Sequence, residues 1–297
     1  MKLSDFQEVK KIEKGWSGEQ KYKVTDKAGQ NYLLRVSSME QYEAKKAEFE
    51  NMKKVSALGI PMCQPIEFGT SEEGVYSLQS WIEGDDAENI IPTVSDEQAY
   101  QYGCEAGKLL KRIHAIEAPE NCEAWESFFN RKMDRKIENY QKCPLKYDKG
   151  DLFITYIEKY RHLLKNRPLT YQHGDYHIGN LMIDKKGQLV VIDFNRNEYG
   201  DPWEEFNRIV WCAQTAPLFA TGMVDGYFQQ EVPMEFWKLL VLYISSNTLS
   251  SLPWAVPFGQ VEIDVMRNQA ACILEWYDDM KQVVPKWYKS DIGRVCK

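Results

Sequence analysis

Two aspartates and one asparagine lie beside a predicted hairpin, and together they could handle a phosphate group. Asp175 and Asn180 precede the short apolar run 181–183, and Asp193 follows a second apolar run, 189–192. The two runs are separated by a turn that ends in glycine, which is typical of a β-hairpin. The hairpin would bring two carboxylates and one amide to the same end.

These three side chains suit phosphoryl transfer, in which a protein mainly positions the reactants and neutralises charge. Asp175 is the candidate base that orients the attacking hydroxyl and accepts its proton. Asn180 and Asp193 offer the hard oxygen ligands that Mg²⁺ prefers. A single aspartate before a strand is usually a turn residue, so the prediction depends on all three residues together.

The spacing of these residues matches known kinase motifs. His173, Asp175 and Asn180 fit the kinase pattern H-R-D-x-x-x-x-N, with glycine in place of the arginine, and 193–195 stands where D-F-G would be. The form H-G-D-x-H-x-x-N, followed later by the Gly-Asp-Pro at 200–202, resembles the aminoglycoside phosphotransferase and choline kinase-like family. The resemblance runs through nearly the whole chain.

The resemblance implies an α+β, bilobal protein-kinase-like fold. Its small N-terminal lobe would be an antiparallel sheet with one long helix, and its larger C-terminal lobe would be mainly helical. We place the nucleotide-binding lobe at residues 1–83 and the catalytic and acceptor-binding lobe at residues 84–297.

The resemblance also implies Mg²⁺ as cofactor and ATP or GTP as phosphate donor. It makes Asp175 the catalytic base and Asn180 and Asp193 the metal ligands. Asn195 stands where many members carry a second aspartate, which leaves the number of metal ions open. His173 is predicted to be structural, and His177 is left without a role.

A glycine-containing loop lies between two predicted strands, 6–14 and 21–24. Glycine allows backbone N–H groups to approach phosphate oxygens closely, so we place Ser17 and Gly18 near the nucleotide phosphates. An ordinary hairpin turn is the alternative, because the loop lacks a complete G-x-G-x-x-G.

The next predicted strand, 31–36, places Arg35 where the kinase template has the cation that holds the α- and β-phosphates. Arginine can bind phosphate through two parallel donors, but it is not geometrically equivalent to the usual lysine. An outward-facing strand residue is the alternative. A helix predicted over 39–58 would carry the acidic partner of Arg35, for which we choose Glu48. Two other glutamates of this helix remain alternatives, Glu43 and Glu50.

Two further predicted strands, 65–69 and 74–82, complete the small lobe. By resemblance the hinge that meets the purine follows them, at Ser80, Trp81 and Ile82. Hinge contacts use backbone groups, so the sequence does not distinguish ATP from GTP. Trp81 would fit a buried core equally well.

The remainder of the chain is predicted to be helical. The predicted helices are 98–116, 125–140, 152–164, 236–249 and 263–280. The cations of 125–140 are predicted to be solvated. By resemblance the C-terminal helices shape the acceptor pocket, where carboxylates and rings would suit a cationic aminosugar. The residues of those types are Glu262, Asp264, Glu275, Trp276, Tyr277, Asp278 and Asp279. A solvated acidic helix surface is the alternative.

Asp201 and Pro202 are predicted to open another helix, as its N-cap and its first residue. By resemblance Asp201 braces the catalytic loop. Glu204 and Glu205 are predicted to face either solvent or the acceptor cleft.

Composition restricts the possible partners and compartment. The 37 basic and 44 acidic residues give a net charge of −7, which argues against nucleic acid or an anionic membrane as partner. The seven scattered cysteines are predicted to be reduced thiols of a cytoplasmic protein. We expect no signal peptide, and no apolar run of the about 18–20 residues that a membrane span needs.

The sequence therefore predicts a small-molecule kinase, an alcohol-group phosphotransferase that moves the γ-phosphate of ATP or GTP to a hydroxyl of an aminoglycoside-like acceptor, as in antibiotic resistance. The first alternative is a metabolic kinase for choline, a sugar or an amino-acid-derived alcohol. The second is a non-catalytic nucleotide-binding module. The sequence does not indicate the oligomeric state.

Overall fold

The computed structural model describes residues 3–13, 18–289 and 296. The chain divides into two compact units. The first comprises Met1–Ile90 with Gly179–Asn197, and the second comprises Ile91–Ile178 with Glu198–Lys297. Ser17, which was predicted to lie near the nucleotide phosphates, lies outside the described residues. The boundary predicted at residues 83 and 84 stays a prediction.

The fold contains both strands and helices, as predicted. The strands are β1 (Glu8–Ile12), β2 (Gln20–Thr25), β3 (Asn31–Ser37), β4 (Pro65–Ser71), β5 (Gly74–Ser80), β6 (Gly84–Asp86), β7 (Thr170–Gln172), β8 (Leu181–Asp184), β9 (Leu189–Val191) and β10 (Glu198–Gly200). The helices are α1 (Tyr42–Ala57), α2 (Ala87–Ile90), α3 (Asp96–Ile113), α4 (Trp125–Lys142), α5 (Asp151–Tyr160), α6 (Ile209–Thr215), α7 (Pro217–Phe228), α8 (Met234–Ala255) and α9 (Gln260–Trp276).

The first unit is built on an antiparallel sheet in the order β1-β2-β3-β5-β4. Alternate residues of its strands point to one face, and Val24, Leu34 and Leu78 are buried together there. Helix α1 buries Phe49 and Met52, and the Phe49 ring lies 5.5 Å from that of Phe68 on β4. The sheet and α1 thereby fix the side chains of the inner strands.

The predicted hairpin is present as β8 and β9, which pair in antiparallel register. The Asp184 carboxylate accepts hydrogen bonds from the backbone N–H groups of Lys186 and Gln188, and Gly187 takes the left-handed conformation at φ 78°. Strand β6 adds to the other edge of β8. The hairpin therefore holds Asn180 at the start of β8 and Asp193 just after β9.

In the second unit, α3 and α7 pack closely through glycines. A Cβ atom at Gly107 on α3 would overlap the carbonyl oxygen of Met223 on α7, and one at Gly226 on α7 would overlap the carbonyl oxygen of Cys104 on α3. The carbonyl of Ala106, next to Gly107, accepts a 2.8 Å hydrogen bond from the hydroxyl of Tyr176. This helix pair therefore contacts the loop that carries Asp175.

One helical stretch, Met234–Phe258, is long and apolar enough to cross a membrane by length and composition, which corrects the expectation that no such run exists. Inside the fold 67% of its most apolar window is buried. Core helices of soluble proteins pass the same test, so this stretch is weak evidence for a span. Leu239, Leu240 and Leu242 of α8 are fully buried in the second unit.

Other predictions need correction. Cys104 and Cys296 form a disulfide across 192 positions of sequence, whereas all seven cysteines were predicted to be reduced. Helix α7 was not predicted. The helix expected to begin after Asp201 is a 3₁₀ helix, Glu204–Arg208, because the Asp201 carbonyl and carboxylate receive the N–H groups of Glu204 and Trp203 in a turn.

We predict that Gly107→Ala destabilises the protein, because the added methyl group would meet the backbone of α7. Overpacking of this kind costs about 1–3 kcal/mol. Urea unfolding of the full chain would measure the change. Gly18→Ala is the control, since a Cβ there has nothing within 4 Å. Equal stability of the two variants would contradict the close packing.

Candidate active site

A cavity of about 480 Å³ is lined wholly by residues of the first unit. Ile12 and Leu33 of the sheet and Met182 and Ile192 of the hairpin give it apolar walls. Its polar residues include Lys21, Arg35, Asn180, Asp193 and the acidic pair Asp85 and Asp86. Apolar walls with a few convergent polar groups are typical of a small-molecule site.

The three predicted hinge residues, Ser80, Trp81 and Ile82, also line this cavity. The N–H of Ser80 donates to the carbonyl of Gln64, and its hydroxyl accepts from the N–H of Gln64. Trp81 is half-buried, with the ammonium of Lys23 4.6 Å from its ring centre. Gly18 is exposed, next to Glu19.

Arg35 lies buried between two carboxylates. Its Nη1 donates to Asp193 Oδ1 at 2.7 Å, and its Nε donates to Glu19 Oε2 at 2.8 Å. Burial alone would lower the pKa of Arg35, but Asp193 and Glu19 raise it above its ordinary value. The guanidinium is therefore fixed and charged inside the cavity.

The partner predicted for Arg35 was Glu48, and the structure corrects this pairing. Glu48 lies 2.7 Å from Lys45 Nζ, and Lys45 also pairs with Glu19. The Glu19 carboxylate thus accepts hydrogen bonds from the guanidinium of Arg35 and also pairs with the ammonium of Lys45. Glu19 carries no distinguishing signal in the sequence, because it precedes β2 and has no helical position to mark it.

Lys21 is a second cation of the cavity, which the sequence analysis missed. It lies opposite Arg35 in the β2–β3 register, so both side chains leave the same face of the sheet. Burial lowers the pKa of Lys21, and Asp193 partly offsets this effect. The cross-strand register was the signal that could have identified it.

Asn180 and Asp193 bring one amide and one carboxylate to the cavity. Mg²⁺ is usually held by one or two carboxylates plus substrate phosphates, so this donor set fits Mg²⁺ bound together with a nucleotide. The described residues contain no group of three or more His, Cys, Asp or Glu side chains that could hold a metal. Asp193 takes a left-handed conformation at φ 65°, which turns the chain directly after β9.

In the second unit, Asp175 lies beside an arginine and a histidine. Arg208 Nε lies 3.1 Å from Asp175 Oδ1, and His177 Nε2 lies 3.8 Å from the same oxygen. The N–H of Asp175 donates to Nδ1 of His173 at 3.3 Å, and His173 is fully buried. This local backbone contact agrees with the structural role predicted for His173.

Glu205 holds the loop that carries Asp175, a role that the sequence analysis did not predict. The side chain is 2% exposed, whereas it was expected to face solvent or a cleft. It accepts the N–H of Gly174 at 2.9 Å and the N–H of Tyr176 at 3.3 Å. Burial would raise the pKa of Glu205, but His114, His173 and the Gly174 N–H lower it below its ordinary value. The carboxylate therefore stays ionised and fixes the backbone on both sides of Asp175.

Asp201 holds the strand that leads into this loop. Its carboxylate accepts from Arg167 Nε at 2.7 Å and from the hydroxyl of Tyr243 at 2.5 Å. Its carbonyl accepts from Gln172 Nε2 at 2.7 Å, and Gln172 directly precedes His173. These contacts are consistent with the bracing role expected from the resemblance.

The acidic and aromatic residues proposed for the acceptor differ in exposure. Tyr277 is fully buried, and Trp276 is half-buried. Asp279 pairs with Lys149 at 2.8 Å. A cavity of about 630 Å³ in the second unit includes Glu275, Asp278 and Asp279, but four cations line it as well, Lys146, Lys149, Arg267 and Lys286. This cavity is therefore mixed in charge.

We predict that Glu19→Gln weakens nucleotide binding more than Glu48→Gln does. Glu19 holds the fork of Arg35, and hydrogen bonds to charged groups contribute about 1.5–3 kcal/mol. We therefore expect an affinity loss of about tenfold or more for Glu19→Gln. Titration with a fluorescent ATP analogue would measure it. A larger loss for Glu48→Gln would restore the pairing predicted from the sequence.

We predict that Glu205→Gln slows turnover while nucleotide affinity is kept. The glutamine would keep one oxygen for the N–H groups of Gly174 and Tyr176, but it would lose the negative charge and place an NH₂ group where Oε2 faces the Gly174 N–H and His114, so Asp175 would shift. Misplacement by about 1 Å can cost about 100-fold in rate. Steady-state kinetics would measure kcat, with the exposed Glu231→Gln as matched control. An unchanged kcat in a folded Glu205→Gln variant would refute this role.

A family model of the phosphotransferase enzyme family, APH, matches residues 8–237. No curated protein matches the chain significantly.

Solved structures similar to this chain include aminoglycoside phosphotransferases. A thermostable mutant of APH(4)-Ia, in ternary complex with ADP and hygromycin B, has a TM-score of 0.66 at 15% identity and covers 92% of this chain and 95% of its own. A mutant aminoglycoside 2'-phosphotransferase-IIIa with GDP has a TM-score of 0.66 at 14% identity, covering 90% and 92%. A phosphotransferase from Alicyclobacillus acidocaldarius has a TM-score of 0.62 at 12% identity, covering 94% and 91%.

Structural similarity at identities this low shows a shared fold. The predicted protein-kinase-like fold is therefore confirmed. The family match spans more than half of the chain. The chain therefore belongs to the phosphotransferase enzyme family and is an enzyme that transfers phosphate to a hydroxyl group.

Proposed function

We propose that this enzyme is a small-molecule kinase that transfers the γ-phosphate of ATP or GTP to a hydroxyl, with Asp175 as base. The observation that carries the proposal is the cavity of the first unit, in which Arg35, Lys21, Asn180 and Asp193 accompany apolar walls. A purine fits between such walls, and a triphosphate needs such cations. The ADP and GDP complexes of the structural neighbours support a nucleotide donor.

The residues of the nucleotide cavity take the following roles. Arg35 and Lys21 hold phosphate oxygens, and the backbone near Ser80, Trp81 and Ile82 meets the purine edge. Asn180 and Asp193 would hold Mg²⁺, which neutralises charge on the transferring phosphate when bound. Glu48 pairs with Lys45, which also pairs with Glu19, the carboxylate that holds Arg35. Gly18 and Ser17 remain proposed phosphate contacts of the glycine-containing loop.

Asp175 orients and deprotonates the hydroxyl of the acceptor. It accepts a hydrogen bond from the acceptor hydroxyl and takes its proton as the oxygen forms a bond to the γ-phosphorus. The bond between the γ-phosphorus and the bridging oxygen breaks, and the nucleoside diphosphate leaves with that oxygen. Glu205 keeps Asp175 in place through the N–H groups of Gly174 and Tyr176.

Two acceptor classes are open to this chemistry. Structural neighbours solved with hygromycin B and with gentamicin support an aminoglycoside, with antibiotic resistance as the outcome. A small metabolite with a hydroxyl is the second class, and it is favoured by Arg208, whose Nε lies 3.1 Å from Asp175 Oδ1. We place the enzyme in the cytoplasm, where ATP and Mg²⁺ are available.

We predict that Asp175→Asn abolishes transfer while nucleotide binding is kept, because an amide cannot take the proton. General base catalysis contributes about 10²- to 10⁴-fold in rate. Transfer from ATP and GTP would be measured with Mg²⁺ on a panel of aminoglycosides, choline, sugars and hydroxy acids. The exposed Asp151→Asn is the control. Full transfer by Asp175→Asn would refute the base, and nucleotide binding with no turnover by the unmodified chain on any acceptor would favour a non-catalytic module.

A further inference from the structure

Two lysines of α4 and one arginine form a group of cations in the second unit, and the arginine contacts Asp175. Lys132 and Lys136 lie four positions apart on α4, and therefore on the same face of this helix. Arg208 ends the 3₁₀ helix Glu204–Arg208. We call these three residues the α4 cation cluster. The cations of α4 were predicted to be solvated, but Lys132 and Lys136 are half-buried.

Arg208 connects the α4 cation cluster to the catalytic aspartate. Its Nε lies 3.1 Å from Asp175 Oδ1, and the charge of Arg208 also acts on Lys136. A group bound between Arg208 and Lys136 would therefore lie close to the oxygen that takes the proton of the acceptor.

Lys132 is already balanced by acidic side chains. Its ammonium lies 3.6 Å from Glu198 and 3.9 Å from Glu204. Glu204 is buried, and its burial raises its pKa above the ordinary value. Lys132 therefore already has two acidic neighbours.

Lys136 has no acidic partner at ion-pair distance in the part of the chain that the structure describes. Among the described residues it forms no ion pair within 4.0 Å and no side-chain hydrogen bond, although its side chain is half-buried. Burial and the charges of Lys132 and Arg208 lower the pKa of Lys136, and the carboxylates of Glu204 and Glu198 offset this effect only in part. Buried charges in proteins are normally paired, so a half-buried ammonium beside two other cations is a place where an anion would be stabilised.

We propose that the acceptor of this kinase carries a carboxylate or phosphate group, which Lys136 and Arg208 bind while its hydroxyl meets Asp175. This inference rests on the proposed function and narrows its substrate class. A polycationic acceptor would instead place ammonium groups against Lys136 and Arg208, where like charges repel. The α4 cation cluster thus selects a metabolite over an aminoglycoside.

The test is a binding titration of the full chain with Mg²⁺ and AMP-PNP, so that no transfer occurs. The probes are two matched pairs, glycerate with glycerol and ribose 5-phosphate with ribose, together with kanamycin. We expect at least one anionic probe to bind about tenfold or more tightly than its uncharged match, since charge-assisted hydrogen bonds contribute about 1.5–3 kcal/mol. The pair that shows the preference distinguishes a carboxylate from a phosphate.

Variants assign the preference to one residue. Lys136→Gln is expected to abolish the preference for the anionic probe, and Lys136→Arg is expected to keep it. Lys142→Gln is the matched control on the same helix, because Lys142 is exposed and pairs with Glu138. AMP-PNP affinity should be the same in all three variants.

The proposal is overturned if no anionic probe binds more tightly than its match, or if kanamycin binds most tightly. It is also overturned if Lys136→Gln keeps the preference, or if that variant loses AMP-PNP affinity instead, which would assign Lys136 to the nucleotide. Because AMP-PNP allows no transfer, these results are independent of whether the chain turns over ATP. Failure of the kinase reaction itself would appear only in the transfer assay.

Discussion

The buried carboxylate of Glu205 receives the backbone N–H groups of Gly174 and Tyr176, and the position of Asp175 depends on this contact. An ionised carboxylate is costly to bury unless hydrogen bonds compensate it. The two N–H groups supply this compensation, and His114 Nε2 lies 3.7 Å from the second oxygen. On the other side of the loop, the Tyr176 hydroxyl bonds the α3 carbonyl of Ala106. The loop is thus held in place by hydrogen bonds to two other elements, the 3₁₀ helix Glu204–Arg208 and α3.

The same requirement for paired buried charge organises the nucleotide cavity. Asp193, Arg35, Glu19, Lys45 and Glu48 form a row in which the sign of the charge alternates. Each member is stabilised by its neighbour, so the row keeps Arg35 oriented in the absence of any phosphate. A cation that is oriented before binding loses less side-chain entropy when it binds.

The sequence predicted the features that depend on residues close together in the chain. The hairpin at 181–191 and the sheet strands follow from short apolar runs and turn residues, and the spacing of Asp175, Asn180 and Asp193 carries the family resemblance. The acidic partner of Arg35 could not be predicted in the same way. Glu19 and Glu48 are both acidic residues near the sheet, and only the folded register decides which one meets Arg35.

Long-range contacts account for the other differences. The amphipathic pattern of α4 predicts solvated lysines. In the structure, Phe129 and Met133 pack in the core, and the positive charge of Arg208, 72 positions away in the chain, acts on Lys136. The disulfide joins Cys104 to Cys296 across 192 positions, a separation at which spacing carries no signal. The carboxylate of Asp201 is also bound by Arg167 and Tyr243, and these partners lie too far away in the chain for spacing to indicate them.

The nucleotide cavity is lined by residues of the first unit alone, whereas Asp175, Arg208 and the lysines of α4 belong to the second. Under the proposed function, the residues that bind the donor belong to the first unit and those that bind the acceptor belong to the second. Acceptor preference would then change through residues such as Lys136 while the residues that bind the donor stay the same. In evolutionary terms, a gene of this family would then acquire a new substrate through substitutions on one helix.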